Sequence, residues 1–164
     1  MCVVHASVAH ACKIEPSNSQ DVRVTFHRVV PPLENAEHIQ QLVPYAGGEG
    51  GGEGRLFSVR SGITGRCIRT KQLYTMHRPD DDVDTYLQQL EAEWGYTHAD
   101  VVKLSSDKMS CMAVPVLDSK GTHALGVIYI DSVQPNLFED VDVQNSIFRA
   151  CGGVTSYVNE RYAK

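Results

Sequence analysis

The sequence predicts an α+β fold in which an antiparallel sheet is interspersed with helices. Three observations carry that expectation. Apolar residues recur at helical spacing near both ends, at Val4, Val8, Ala11 and Cys12 and again at Val143, Ile147, Cys151, Val154 and Val158. Residues 22–29 alternate in the period of a β-strand. Two apolar runs, 110–117 and 123–131, flank Asp118-Ser119-Lys120-Gly121-Thr122, a loop with the residues of a hairpin turn.

The elements follow in order. The first helix occupies residues 2–13 and ends before Pro16-Ser17-Asn18-Ser19. It begins almost at Met1, which raises the expectation of a longer natural N-terminus. In the first strand Val22, Val24 and Phe26 form an apolar face opposite Arg23, Thr25 and His27, and Pro31-Pro32 ends the pairing. His38 to Val43 reads as its hairpin partner, with a helical turn over Glu34 to Leu42 as the alternative. Gly47 to Gly54, with six glycines and two glutamates, reads as a flexible surface loop; no Gly-Lys-Ser/Thr follows, so it is no phosphate-binding loop. Ser61 is placed to cap a short helix from Gly62 to Thr70. Leu73 to Met76 forms a short strand. Asp80-Asp81-Asp82 puts negative charge at the start of the next helix, where the macrodipole favours it. That helix carries Val83, Tyr86, Leu87, Leu90 and Trp94 on one face, and Gly95 stops it. Pro115 marks an edge or bulge in the strand that contains it. The last helix is expected from Asp140 to Tyr162, weakened by Gly152-Gly153, whose use would be close helix–helix approach. The two terminal helices are expected to pack together on one face of the sheet.

With 164 residues the chain is read as one domain, an N-terminal helix and linker over 1–19 and a core with C-terminal helix over 20–162. A chain of this length buries about 70% of its unfolded surface and needs no staples. Its net charge of −5 argues against a general nucleic-acid or anionic-membrane surface. Arg55, Arg60, Arg66, Arg69 and Lys71 nevertheless lie close in sequence, as a solvated rim or an anion site. No stretch reaches the roughly 18 apolar residues of a membrane span, and the N-terminus lacks the pattern of a signal peptide, so the expected location is cytoplasmic. Cys2, Cys12, Cys67, Cys111 and Cys151 show no zinc spacing and read as free thiols, and the scattered histidines suggest no metal site. Nothing in the sequence identifies a cofactor.

Four phrases in one order resemble the GAF family of small-molecule sensor modules. They are Gly62-Ile63-Thr64-Gly65 with the Tyr74 strand after it, Val114-Pro115-Val116, Gly126-Val127-Ile128-Tyr129-Ile130-Asp131, and Phe138 followed by Asp142. The resemblance covers about residues 20–162. It implies a sheet of about six antiparallel strands with helices on both sides, the terminal helices packed together on one face and a ligand pocket on the other. PAS domains share that sheet and role, but the Gly-rich turn followed by the Val-Pro-Val hairpin favours GAF. Members bind cyclic nucleotides, tetrapyrroles, haem or amino acids, or only dimerise, and regulate an attached signalling domain. The Lys of the cyclic-nucleotide signature is missing at Ser132-Val133-Gln134, and no bilin-type Asp-Ile-Pro phrase occurs. Free-methionine-sulfoxide reductases resemble this turn with a Cys where this chain has Thr64.

The resemblance therefore implies a regulatory module for signal transduction, with no chemistry of its own, that binds a small effector or forms a homodimer through its terminal helices. The alternative is a thiol enzyme of the methionine-sulfoxide-reductase type using Cys67 and Cys111. If the family pocket is present, it is expected around Phe57, Arg60, Ile63, Arg66, Cys67, Tyr74 and Met76, with Met112, Val114, Val127 and Tyr129 as its floor. Arg60 and Arg66, with the N–H groups of the helix start, would hold an anion. Tyr74 and Tyr129 each carry a phenol that needs a partner when buried.

Overall fold

The computed structural model describes residues 1–48, 51–78, 83–101 and 107–162. Its centre is β1 (Val22–Val29), which pairs on one side with β2 (His38–Gln41) and on the other with β6 (Ala124–Ser132). β3 (Leu56–Ser58) continues the sheet beyond β2, and β5 (Ser110–Leu117) and β4 (Tyr74–His77) continue it beyond β6. The result is a six-stranded sheet in the order β3-β2-β1-β6-β5-β4, with every pairing antiparallel. The α+β class is thus established.

Strand alternation divides the sheet into two buried faces. Val22, Val24 and Phe26 of β1, Met112, Val114 and Val116 of β5, and Ile128 and Ile130 of β6 point to one side. There they meet α1 (Cys2–Ala11) through Val4 and Val8, α5 (Val141–Ala150) through Ile147, and α6 (Gly152–Tyr162) through Val158. Val29, Ile39, Cys111, Ala113 and Val127 point to the other side. Those residues are covered by Ile63, Cys67 and Ile68 of α2 (Gly62–Thr70) and by Tyr86, Leu90 and Trp94 of α3 (Val83–Trp94). Val101, at the end of the short α4 (His98–Val101), completes that cluster. The terminal helices pack together, α1 on α5, as expected.

The Gly62-Ile63-Thr64-Gly65 phrase has a clear physical basis. Gly62 has φ +75°, and the Tyr96 hydroxyl occupies the place that a Cβ there would take. Ile63 enters the core, and a Cβ on Gly65 would lie 2.4 Å from the carbonyl oxygen of Val59. Pro115 lies beyond the reach of β4, whose pairing with β5 stops at Ala113, so its missing N–H leaves no ladder bond unmade. The register irregularity expected near it falls between Val116 and Leu117.

Some expectations need correction. The apolar face of β1 is not its only buried one: Thr25 and His27 are buried as well as Val24 and Phe26, because a central strand of this sheet is covered on both faces. Instead of one C-terminal helix there are two. The Cys151 N–H is shared between the carbonyls of Ile147 and Phe148, and the next turn begins on the Cys151 carbonyl. Gly152 and Gly153 are exposed, with open space where a Cβ would sit, so they serve no close helix approach. The capping carboxylate of α5 is that of Asp140, which accepts from the N–H groups of Asp142 and Val143 at 2.7 and 3.3 Å. Asp80-Asp81-Asp82 lies outside the described residues.

The glycines give a paired test. Gly65→Ala forces a Cβ onto backbone and is expected to cost about 1–3 kcal/mol. Gly153→Ala gains helix propensity in open space and should stabilise by up to about 1 kcal/mol. Urea unfolding of both variants checks this, and a neutral Gly65→Ala would refute the packing account.

Candidate functional site

The second face of the sheet is not fully filled. Between it and the segment running from α2 to α4 lies a cavity of about 830 Å³. Alternation builds its floor. Arg23 and His27 of β1, Tyr129 and Asp131 of β6, and Gln41 of β2 all point to this side. Phe57 and its neighbours on β3 form one rim. Ser61, Ile63 and Thr64 bring the start of α2 to the wall, and Met76, Tyr86, Leu90 and Tyr96 supply apolar and phenolic surface. The lining is mixed, with Arg23, Arg55, Asp100, Lys108 and Asp131 set beside apolar and phenolic surface.

His27 lies at the centre of the floor. It is only 4% exposed, and neither ring nitrogen has a hydrogen-bond partner among the described residues. Its ring lies 5.1 Å from that of Phe57 and stacks 6.2 Å from that of Tyr129, centroid to centroid. Burial lowers its pKa from 6.5 to about 4, so the imidazole is neutral at pH 7. It therefore offers one donor and one acceptor.

Beside it the Arg23 guanidinium donates through Nε and Nη2 to the two carboxylate oxygens of Asp131, both at 2.9 Å. Asp131 is 2% exposed, and its hydrogen bond to Arg23 raises the pKa of the guanidinium further. The Lys108 ammonium lies 4.0 Å from the same carboxylate and 3.1 Å from Asp107. Gln41 is fully occupied in another way. Its side-chain amide donates to the carbonyls of Val43 and Gly51 at 3.0 and 2.9 Å, so the glycine-rich segment, read above as a surface loop, is tied down onto the cavity edge. Glu49 and Gly50 of that segment lie outside the described residues. Burial pushes the phenols of Tyr45 and Tyr86 up to about 12 and those of Tyr96 and Tyr129 upward as well, which keeps all of them protonated.

Of the residues expected to form the site, Phe57, Ile63, Met76 and Tyr129 line the cavity. Met112 and Val114 do not: the register Met112↔Ile130 and Val114↔Ile128 turns both toward α1 and α5. Val127 faces the cavity side but is covered in the core. Cys67 is fully buried in that core. Tyr74 stands edge-on to Trp94, and Arg66 lies over both rings, 4.9 and 5.3 Å from their centroids. Arg60 is exposed and, like Arg66, is not a lining residue. The basic cluster is thereby dispersed, with Arg69 donating to the Val59 carbonyl and Arg55 on the cavity rim. Sequence reasoning missed Arg23, His27, Gln41 and Asp131. The signal was a strand with polar residues on one face whose neighbours on both sides were themselves strands.

Among the described residues, no group of three or more side chains is arranged to hold a metal ion. Cys67 and Cys111 are buried, and burial pushes both thiols up to about 12. The thiolate is the reactive form, so neither is primed as a nucleophile at pH 7.

Two predictions follow from this geometry. A histidine with pKa about 4 folded and 6.5 unfolded takes up its proton preferentially in the unfolded chain. Its contribution is present above pH 6.5 and lost as pH falls toward 4, by roughly 3 kcal/mol at most. The urea midpoint should fall over this window, and His27→Phe should remove that part of the slope. Arg23→Met strands the buried Asp131 carboxylate and should cost about 3–5 kcal/mol, while the double variant Arg23→Met/Asp131→Leu recovers most of it. Equal loss in the single and double variants would contradict the pairing.

No protein-family model matches the sequence, and no curated protein resembles it significantly. Solved structures do. The GAF domain of an Acinetobacter phosphoenolpyruvate-protein phosphotransferase superposes with a TM-score of 0.60 at 14% identity, covering 98% of this chain and 84% of that one. The type II free methionine-R-sulfoxide reductase of Thermoplasma acidophilum gives 0.57 at 14% identity, covering 96% and 93%. The free methionine-R-sulfoxide reductase of Neisseria meningitidis, solved with its substrate, gives 0.53 at 19% identity, covering 98% and 78%. This chain has the GAF fold, which the GAF domains and the reductases among these structures share.

Proposed function

We propose that this chain is an effector-binding regulatory module whose cavity takes a small molecule and whose attached or partner protein reads out its occupancy. The observation that carries the reading is the 830 Å³ cavity itself, which sets polar side chains of β1 and β6 among the apolar and phenolic surface of Phe57, Ile63, Met76, Tyr86, Leu90 and Tyr96.

Self-association through the terminal helices belongs to the same reading. Val3 of α1, Val141 and Phe148 of α5 and Tyr157 of α6 are exposed apolar side chains on the elements away from the cavity. Such a dimer would let neighbouring domains feel a change in the sheet. The setting proposed is cytosolic, and among the described residues no helix is long and apolar enough to cross a membrane.

The second reading is a free methionine sulfoxide reductase, supported by the likeness to reductases in fold. The buried, fully protonated Cys67 and Cys111 count against it. Native mass spectrometry of the freshly purified protein, then of the denatured chain, tests the first reading. A discrete mass released on denaturation supports it, and sedimentation gives the oligomer. Turnover of free methionine-R-sulfoxide with dithiothreitol tests the second. The expected result is no turnover above the thiol-only control; turnover abolished in Cys67→Ser or Cys111→Ser would establish the reductase instead.

A further inference from the structure

Resting on the reading of the cavity as a ligand site, we infer that its ligand is a small organic acid, a single carboxylate on an apolar body, whose carboxylate is held at the cavity rim by Arg55 together with Arg23. Three features of the cavity carry this inference, and each narrows the chemistry.

The first is an unmatched charge. Arg23 is paired with Asp131 at 2.9 Å and Lys108 with Asp107 at 3.1 Å, and the Asp100 carboxylate accepts from the Thr97 hydroxyl at 2.7 Å. Arg55 is exposed on the same lining, and its guanidinium has no carboxylate or carbonyl partner among the described residues. Its backbone is fixed instead: the N–H donates to the Gly52 carbonyl at 3.0 Å, and the carbonyl accepts from the Gln41 N–H at 2.9 Å. The residue is therefore held at the sheet edge while its charged end is left over. One unmatched cation suits one negative charge. A phosphate monoester, which carries close to two, would bring a surplus up against Asp131.

The second is a set of unused donors. Arg23 spends its Nε hydrogen and one Nη2 hydrogen on Asp131. A guanidinium has five N–H donors, and the edge made by Nη1 and the second Nη2 hydrogen has no acceptor among the described residues. That edge matches a carboxylate in two parallel hydrogen bonds. The Tyr45 ring lies 4.4 Å from the Arg23 guanidinium, and Tyr45 lines the cavity with it. Burial is the main cause that pushes the Tyr45 phenol up to about 12, and the charges of Asp131, Arg23 and Arg55 all reach it. The four groups thus share one end of the cavity, and the protonated phenol adds a further donor there.

The third is the surface next to this end. Leu56 and Phe57 follow Arg55 directly on the lining and are 60% and 38% exposed, large apolar side chains left open to water. Ile63, Met76, Tyr86 and Leu90 continue the apolar wall. An apolar body attached to the carboxylate would cover this surface and remove it from water. A free inorganic anion would leave it bare.

The test compares the wild-type chain with Arg55→Gln, and with Arg60→Gln as control, since Arg60 is exposed but off the lining. Probes are benzoate and hexanoate, with benzamide, benzylamine and phenyl phosphate as counter-probes, followed by calorimetry. At least one acid is expected to bind saturably to wild type, about tenfold or more tighter than benzamide. Arg55→Gln should weaken it about tenfold without lowering the melting temperature, and Arg60→Gln should bind as wild type does. The inference is overturned if benzamide or benzylamine binds as tightly as the acids, if phenyl phosphate binds more tightly than benzoate, or if Arg55→Gln leaves acid affinity unchanged. Saturable binding of benzamide alone would end the acid inference and leave the ligand-site reading standing. Where no probe binds, the mass released on denaturation decides: a carboxylic acid upholds the inference, and a compound without a carboxylate overturns it. A chain that binds no probe and releases no mass would end both readings.

Discussion

The rest of the structure depends on the burial of β1 on both faces. Its register with β6 runs from Val22↔Ser132 to Arg28↔Gly126, and with β2 from His27↔Gln41 to Val29↔Ile39. With neighbours on both sides, every second residue of β1 belongs to the helical layer and the others to the opposite layer. Val22, Val24 and Phe26 anchor α1, α5 and α6. Thr25 and His27 are cut off from water and Arg23 is partly so, and each must be accommodated. Thr25 donates to the Val43 carbonyl and Arg23 chelates Asp131, but His27 has no such partner among the described residues. A one-residue slip would exchange the two sets and put the valines in the cavity.

That constraint also explains why the cavity is polar at its floor yet electrically quiet. A buried carboxylate is tolerated because a bidentate guanidinium faces it, and breaking such a pair is far more costly than either partner is worth alone. The thiols behave in the opposite way. Cys67 and Cys111 are treated by the fold as small apolar residues, and their burial suppresses ionisation. Proteins with this fold include GAF domains and free methionine-R-sulfoxide reductases.

Much of the architecture was legible in the sequence because its signals are local. The alternation of 22–29, the Asp118–Thr122 loop, the Gly62–Gly65 turn and the apolar stripes of the terminal helices each encode one element. The site was only partly legible. Phe57, Ile63, Met76 and Tyr129 line the cavity as expected, yet Met112 and Val114 fall on the other face. Which face a strand residue takes depends on register with a partner strand, and Val114 pairs with Ile128 rather than with a residue of the Tyr129 set. The alternation of β1 shows His27 and Arg23 only as the face opposite the valines, and polarity on one side of a strand ordinarily means water. Only the strands β2 and β6 on either side, with α2 and α3 above, turn that polar side inward. The break at Cys151 was marked only by Gly152-Gly153, since the apolar stripe continues through it.

The most direct test of this account is a ¹⁵N NMR pH titration of the His27 imidazole in the wild-type chain, assigned by comparison with His27→Phe. The account predicts a ring that stays neutral down to about pH 4, where burial holds its pKa. Titration at the ordinary value of 6.5 would mean that His27 faces water, and that β1 does not turn its polar side into a cavity.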